Sequence, residues 1–212
     1  MSNIKNKLEK DIFKNNMDLL YETSYDDANK IYMIDMNCAI AQDRVINFDK
    51  VKIDFCRSYG KPPKNVFSSA DTLIYSEVKR KFIFVEFKNG STKGVNKKLK
   101  DSLIIFANIA QEDLDYCRKN FEYIVVYNYD KNKDNITQKK KEKENKQGVD
   151  EHYKEGIANK LYEFRNDKND KNDKGDELIL FGLDLMKDIC VSNVHTYTVD
   201  EFVEYYSKNC TK

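Results

Sequence analysis

The sequence lacks several features that would indicate a function directly. It has two histidines and five scattered cysteines with no CxxC pair, so the ligand spacing of a zinc finger is absent. No stretch approaches the roughly 20 apolar residues that a membrane-spanning helix needs, and the first ten residues lack the apolar core of a signal peptide. We therefore expect a soluble, cytoplasmic protein with reduced thiols and no membrane partner.

The chain also lacks an excess of charge of either sign. Its 37 basic and 36 acidic side chains nearly cancel, which argues against a protein that is basic over its whole surface. A local basic groove is compatible with this balance, because nucleic-acid binding depends on where the cations lie. Hydrophobic residues make up 40% of the 212 residues, which is enough to build a packed core.

The pattern of apolar residues predicts an α/β fold. Residues 3–21 have apolar side chains at near-helical spacing and are predicted to form an amphipathic helix. Residues 71–76 and 82–88 are predicted to be strands joined by a charged turn. A long helix over 95–119 and a strand over 121–127 are predicted to follow. This order predicts a central mixed sheet that is flanked by helices.

Two low-complexity segments interrupt the second half of the chain. Residues 130–150 contain KKKEKENK and residues 166–176 contain NDKNDKNDKGD, and neither segment is apolar enough to order itself. We expect mobile loops there, within a single domain that spans the whole chain. Residues 177–183 (ELILFGL) are predicted to form another strand. Thr198 and Glu201 then form the capping box of a terminal helix.

Charged residues interrupt the predicted strands at one place. Alternate side chains of a strand share a face, so Glu86 and Lys88 are expected to point the same way while Phe87 points into the opposite layer. An antiparallel hairpin would place Asp71 at the same end of the sheet. Two carboxylates and a lysine would then converge, and hard oxygen ligands of this kind suit Mg²⁺ or Mn²⁺.

Asp71 followed by EFK at 86–88 resembles the motif of the PD-(D/E)XK nuclease superfamily, in which an acid precedes an acid-x-Lys on the next strand. The resemblance covers roughly residues 1–130 and departs from the usual motif at Ala70, where a proline is commonly written. It implies a restriction-endonuclease-like αβββαβ core, to which a C-terminal strand and helix are added. It also implies a metal-dependent nuclease that hydrolyses phosphodiester bonds in DNA or RNA.

The same resemblance implies roles for individual residues. Asp71 and Glu86 would bind the metal ion, and Lys88 would assist the attacking water. Many members of the superfamily add a catalytic acid from the first helix, for which Glu9 is the preferred candidate and Glu22 the alternative. The helix that follows the acid-x-Lys strand often directs basic or polar residues toward the phosphate. The candidates for nucleic-acid binding are Lys93, Lys97, Lys98 and Ser102.

The sequence leaves other interpretations open. Glu86 and Lys88 could form a solvated ion pair on an edge strand, without any chemistry. On the same scaffold, the protein could be a non-catalytic inhibitor or immunity factor, with a protein partner and no metal. It could also bind nucleic acid without cleaving it. Binding of Mg²⁺ or Mn²⁺ together with nicking of DNA or RNA would distinguish a nuclease from these alternatives.

Overall fold

A computed structural model describes residues 4–64, 66–133, 136–137 and 178–211. The strands in these residues are β1 (Met17–Leu19), β2 (Tyr25–Asp26), β3 (Ile31–Tyr32), β4 (Arg44–Asn47), β5 (Thr72–Ser76), β6 (Lys81–Lys88), β7 (Phe121–Tyr127) and β8 (Asn193–Thr198). Six of these described strands form the main sheet in the order β1-β4-β5-β6-β7-β8, while β2 and β3 pair as a separate hairpin.

The same ranges contain α-helices and short 3₁₀ helices. The α-helices are α1 (Asp11–Lys14), α2 (Leu20–Thr23), α3 (Phe48–Ser58), α4 (Val95–Ala110), α5 (Leu114–Asn120) and α6 (Val199–Asn209). The 3₁₀ helices are Ile4–Glu9, Asp130–Asn132 and Leu183–Met186. Within the described part of the chain, none of the helices has the length and apolar character needed to cross a bilayer.

The main sheet is mixed, as the sequence predicts. Strands β1, β4, β5 and β6 pair antiparallel to one another, whereas β6, β7 and β8 run parallel. Helices α4 and α5 form the crossover that a parallel β6–β7 pair requires. The α/β class, with a mixed sheet flanked by helices, is therefore confirmed.

Strand β6 is an interior strand that is covered on both faces. Phe82 is in ring contact with Phe106 of α4 on one face, with ring centroids 5.1 Å apart. Phe87 is in ring contact with Phe202 of α6 on the other face, at 5.7 Å. Glu86 therefore lies in the middle of the sheet, and the interpretation of a solvated pair on an edge strand is wrong.

The predicted helix over 3–21 is wrong, because the chain changes structure several times there. A 3₁₀ helix and the single-turn α1 are followed by β1, which pairs with β4. The interruption falls at Asn15 and Asn16. The Asn16 amide donates to the carbonyl of Ile12 at 2.8 Å and to Asp54 at 3.0 Å, so its side chain competes for helical backbone groups and ties the turn to α3.

The predicted long helix over 95–119 divides into α4 and α5. Gln111 ends α4 in the left-handed conformation, with φ of 56° and its N–H donating to Ala107. Asp113 then caps α5 by accepting a hydrogen bond from the backbone of Tyr116 at 2.6 Å. The apolar stripe continues across this break, which is why the periodicity alone predicts one helix.

The strand predicted over 177–183 is absent from the described residues 178–183. Phe181 and Gly182 both have positive φ, at 61° and 67°, which turns the chain into the 3₁₀ helix Leu183–Met186. Leu180 and Leu183 are buried, so the apolar run packs without pairing in the sheet. The added C-terminal strand is instead β8, and the capping box of Thr198 and Glu201 that begins α6 is confirmed.

The predicted loops fall mostly outside the described residues. Of the segment 130–150, the described residues begin with the 3₁₀ helix Asp130–Asn132 and include Ile136, which is buried against Tyr127 and Leu180. The segment 166–176 lies wholly outside the described residues.

Candidate functional site

The pairing of β5 with β6 brings Asp71 beside Glu86, as the sequence predicts. Thr72 is in register with Val85, and the N–H of Asp71 donates to the carbonyl of Val85 at 3.1 Å. The carboxylate oxygen Oδ2 of Asp71 accepts a hydrogen bond from the N–H of Phe87 at 2.6 Å. The backbone of β6 therefore holds the carboxylate of Asp71 next to Glu86, the second acid of the site.

Glu86 is a fully buried acid that has two cationic neighbours. Its side chain has 0% exposure, and its oxygen Oε1 lies 2.7 Å from the Nζ of Lys88 and 2.6 Å from the Nζ of Lys98. The second oxygen, Oε2, has no hydrogen-bond partner among the described residues. Burying a charged group without full compensation is costly. The two ammonium groups therefore compensate this carboxylate through Oε1.

Lys98 connects the two acids. Its Nζ also lies 3.2 Å from Oδ1 of Asp71, so one ammonium contacts both carboxylates. Lys98 comes from the first turn of α4, which begins after Gly94 with φ of 83°. Val95 and Leu99 anchor this turn in the core and leave Lys98 on the neighbouring face, toward β5 and β6. The ammonium occupies the place between the acids where the sequence predicts a metal ion.

The pKa values of three groups show that this is a crowded, poorly solvated site. Burial and, next, the charge of Glu86 raise the pKa of Asp71, Lys98 opposes both, and the resulting pKa is about 8. Burial works against the charge of Lys98, but Asp71 and Glu86 outweigh it and raise the lysine pKa above its ordinary value. Burial, together with the same two acids, raises the pKa of Tyr123. A cation that binds the acids must therefore release a proton or displace an ammonium.

Asp49 is a third acid near the site that the sequence analysis missed. It lies in the first turn of α3, and its charge contributes to the raised pKa of both Asp71 and Lys98. The preceding residue, Phe48, donates its N–H to the carbonyl of Asp71 at 3.0 Å. Asn47, which caps α3 by accepting from the N–H of Lys50, was the available signal for a helix beginning here.

Several predicted site residues lie apart from the cluster of Asp71, Glu86, Lys88 and Lys98. Glu9 is 63% exposed and forms an ion pair with Lys14. Ser102 is fully buried and accepts a hydrogen bond from the N–H of Ala70 at 2.8 Å, so it positions the chain before β5 and is inaccessible to a phosphate.

The two remaining lysines of the predicted phosphate-binding set are exposed. Lys97 is 61% exposed and pairs with Asp101, which also accepts from the N–H of Ser68 at 2.7 Å. Lys93 is exposed in the loop between β6 and α4. Both residues are accessible to a polyanion, but neither is an ion-pair partner of Glu86 within the described structure.

The carboxylates of Asp71 and Glu86 suit a hard divalent cation whose other ligands are waters or substrate oxygens. Among the described residues there is no group of three or more His, Cys, Asp or Glu side chains that could hold a metal ion. A pair of carboxylates is nevertheless a usual protein contribution for Mg²⁺, which keeps several waters and adds substrate phosphates. The buried oxygen Oε2 of Glu86 without a hydrogen-bond partner fits that description.

Comparison of the chain with protein-family models, with curated proteins and with solved structures gives no match. The functional assignment therefore depends on the site itself and on the order of the surrounding elements.

Proposed function

We propose that this protein is a metal-dependent nuclease that hydrolyses phosphodiester bonds in DNA or RNA, and that its core is of the restriction-endonuclease type. The observation that carries the proposal is the convergence of Asp71 and the buried Glu86 with Lys88 and Lys98 at one end of an interior strand. The antiparallel β5–β6 pair, followed by α4 and by β7 parallel to β6, supports the proposed core.

Asp71 and Glu86 would hold Mg²⁺ or Mn²⁺ through carboxylate oxygens, among them the buried Oε2 of Glu86. When bound, the ion would supply Lewis-acid polarisation of a phosphoryl oxygen. The protein's own part is to fix the two acids through β5 and β6 and to exclude bulk water from Glu86.

Lys88 has a role that is distinct from metal binding. Its side chain is 17% exposed and its ammonium lies 2.7 Å from Oε1 of Glu86, so the group would face the substrate while the acid orients it. From there it would orient an attacking water by hydrogen bonding and offset the charge that develops on the phosphoryl oxygens.

Lys98 has to leave its position between the acids before a metal ion can occupy it. Its side chain is 25% exposed, and Lys97 on the same turn already extends into solvent, so the end of Lys98 has a path outward toward the phosphate backbone. The nucleic-acid-binding role proposed for Lys98 would begin when the metal displaces it.

A specific observation also favours a second function, a non-catalytic interaction protein on the same scaffold. Lys98 and Lys88 together balance the charges of Asp71 and Glu86 without any metal ion. In such a protein the cluster would be a buried polar network that fixes α4 against the sheet, and a protein partner would bind elsewhere.

A divalent-ion titration monitored by thermal unfolding separates the two functions. A nuclease site predicts that Mg²⁺ or Mn²⁺ raises the unfolding temperature of the wild type, because a ligand that binds only the folded state stabilises it. Asp71→Ala should abolish this shift, and Asp115→Ala, at a half-exposed acid on α5, should retain it. An equal metal response in Asp71→Ala would contradict the proposal.

A further inference from the structure

A second feature lies at the same edge of the sheet as the candidate site. The parallel strands β6, β7 and β8 end together there, and the residues after them line a cavity of about 350 Å³ beneath the β2–β3 hairpin. We call it the edge pocket. Its lining includes Ile31, Tyr32, Asn89, Asn128, Tyr129 and Asp200. The edge formed by the carboxyl ends of parallel strands is where ligands commonly bind in α/β sheets.

The edge pocket is joined directly to the end of the strand that carries the acids. Asn89 follows Lys88 in the chain, and the N–H of Asn128 donates to the carbonyl of Lys88 at 3.0 Å. The side chains of these two asparagines are hydrogen-bonded to each other at 3.0 Å. Asn89 also donates to Asp26 of the hairpin at 2.9 Å. A chain that passes over this edge would therefore reach both the pocket and Lys88.

Exposed aromatic rings surround the pocket. Tyr32 is 51% exposed and Tyr129 is 50% exposed, although rings of this size usually bury most of their area. The ring of Tyr25 lies 4.8 Å from that of Tyr32, and the ring of Tyr21 lies 5.2 Å from it. Two neighbouring rings contact Tyr32, and the half of its surface that stays exposed is a preformed surface for stacking.

The chemistry of the lining favours a nucleobase over a phosphate. None of the described lining residues of this pocket is basic, and Asp200 would repel an anion. The amide of Asn128 donates one hydrogen bond to Asn89 and accepts one from the N–H of Lys131, so its second N–H can pair with the edge of a base. Because the chain carries a formal net charge of only +1, stacking offers affinity that does not depend on a large basic surface.

We propose that the edge pocket binds an unpaired nucleobase of the substrate, so that the enzyme acts on nucleic acid with single-stranded character. This inference rests on the proposed nuclease function and specifies its substrate. A base in a duplex is stacked and paired, and its face is inaccessible to tyrosine. An unpaired base can stack on Tyr32 or Tyr129 while its strand continues over the edge toward Lys88.

The test measures binding separately from cleavage. Fluorescence anisotropy in EDTA gives the affinity of the wild type for labelled single-stranded oligonucleotides of DNA and of RNA, and for the matching duplexes. Tyr32→Ala and Tyr129→Ala are compared with Tyr59→Ala, which removes a 63% exposed tyrosine at the end of α3. Tyr32→Phe keeps the ring and Tyr32→Leu keeps only apolar bulk, so this pair separates stacking from loss of fold.

The proposal predicts tighter binding of single strands than of duplexes. It also predicts a loss of about 5-fold or more in single-strand affinity for each alanine variant in the pocket, from the usual contribution of one base stacked on an aromatic ring. Tyr32→Phe and Tyr59→Ala should bind like wild type, and Tyr32→Leu should bind like Tyr32→Ala. Equal binding by Tyr32→Ala, Tyr129→Ala and Tyr59→Ala would overturn the proposal, as would a preference for duplex.

The two proposals fail in different ways. If the wild type cleaves nucleic acid and the pocket variants bind single strands as tightly as the wild type, the base-binding proposal is wrong and the nuclease proposal stands. If the wild type binds single strands through Tyr32 and Tyr129 but does not cleave them with Mg²⁺ or Mn²⁺, the base-binding proposal stands and the nuclease proposal is wrong.

Discussion

Replacing Lys98 by methionine removes the cation between Asp71 and Glu86 while keeping a side chain of similar length. Breaking a buried ion pair usually costs about 3–5 kcal/mol, because the remaining charge is left uncompensated. Lys88 still contacts Glu86 in the variant, so we expect a loss near the lower limit, about 3 kcal/mol. For a chain of this size that corresponds to a fall of roughly 6–12 °C in the unfolding temperature.

The assay is thermal and urea unfolding with EDTA at pH 8.5, above the pKa of about 8 that Asp71 has in the wild type. Lys98 lowers this pKa, so its removal raises the pKa further, and the loss of stability should become smaller at lower pH, where Asp71 is protonated. Lys100→Met is the matched control, because Lys100 lies on the exposed face of α4. Adding Mn²⁺ or Mg²⁺ should stabilise Lys98→Met more than the wild type, since the metal no longer has to displace the ammonium.

Two results would refute this reasoning. The first is equal stability of Lys98→Met and Lys100→Met in EDTA, which would mean that the buried acids need no cation. The second is a metal-induced shift in Lys98→Met that is no larger than in the wild type, which would mean that metal and ammonium do not compete for one place.

Three further predictions concern single residues of the site. The pKa of Asp71 is raised from 3.8 to about 8 in the folded state, so the wild type should lose stability relative to Asp71→Asn as the pH rises from 4 to 8 in urea unfolding. The difference in unfolding free energy between the two proteins should change by at most about 1.4 kcal/mol per pH unit, the limit for one proton. A difference that does not change with pH would contradict this prediction. Lys88→Ala should retain its metal affinity in calorimetry, because the lysine is not a ligand. It should cleave slowly, because the attacking water and the charge of the transition state lose support, and cleavage at the wild-type rate would exclude this role of Lys88. Ser102→Ala should lower the free energy of unfolding by about 1–3 kcal/mol, because it leaves the buried N–H of Ala70 unpaired. Unchanged stability together with weaker oligonucleotide binding would instead support a contact of Ser102 with phosphate.

The sequence predicts the centre of the sheet well, because local pattern and burial agree there. The run FIFVEFK alternates between two apolar layers, and the charged turn before it allows only a hairpin with β5. The same alternation places Glu86 on the α4 face, and the hairpin then places Asp71 beside it. These contacts follow from strand geometry, which a period of two residues encodes directly.

Other parts of the structure depend on contacts that a linear pattern does not contain. Asn16 breaks the first helix through a bond to Asp54, which is 38 residues away. The run at 177–183 has a strand-like composition, yet two consecutive residues of positive φ turn it aside. At the site, the position of Lys98 between the acids depends on the angle at which α4 crosses the sheet, and the helical spacing alone does not define that angle.

The most direct test of the proposed function is cleavage of a labelled single-stranded oligonucleotide and of its duplex, with EDTA, Mg²⁺ or Mn²⁺. Wild type is compared with Glu86→Gln, which keeps the shape of the buried side chain but removes its charge, and with Glu77→Gln, a matched change on the exposed β5–β6 turn. We predict cleavage by wild type and by Glu77→Gln with metal only, and none by Glu86→Gln. Cleavage by Glu86→Gln at the wild-type rate, or no cleavage by a folded wild type with either metal, would contradict the nuclease assignment.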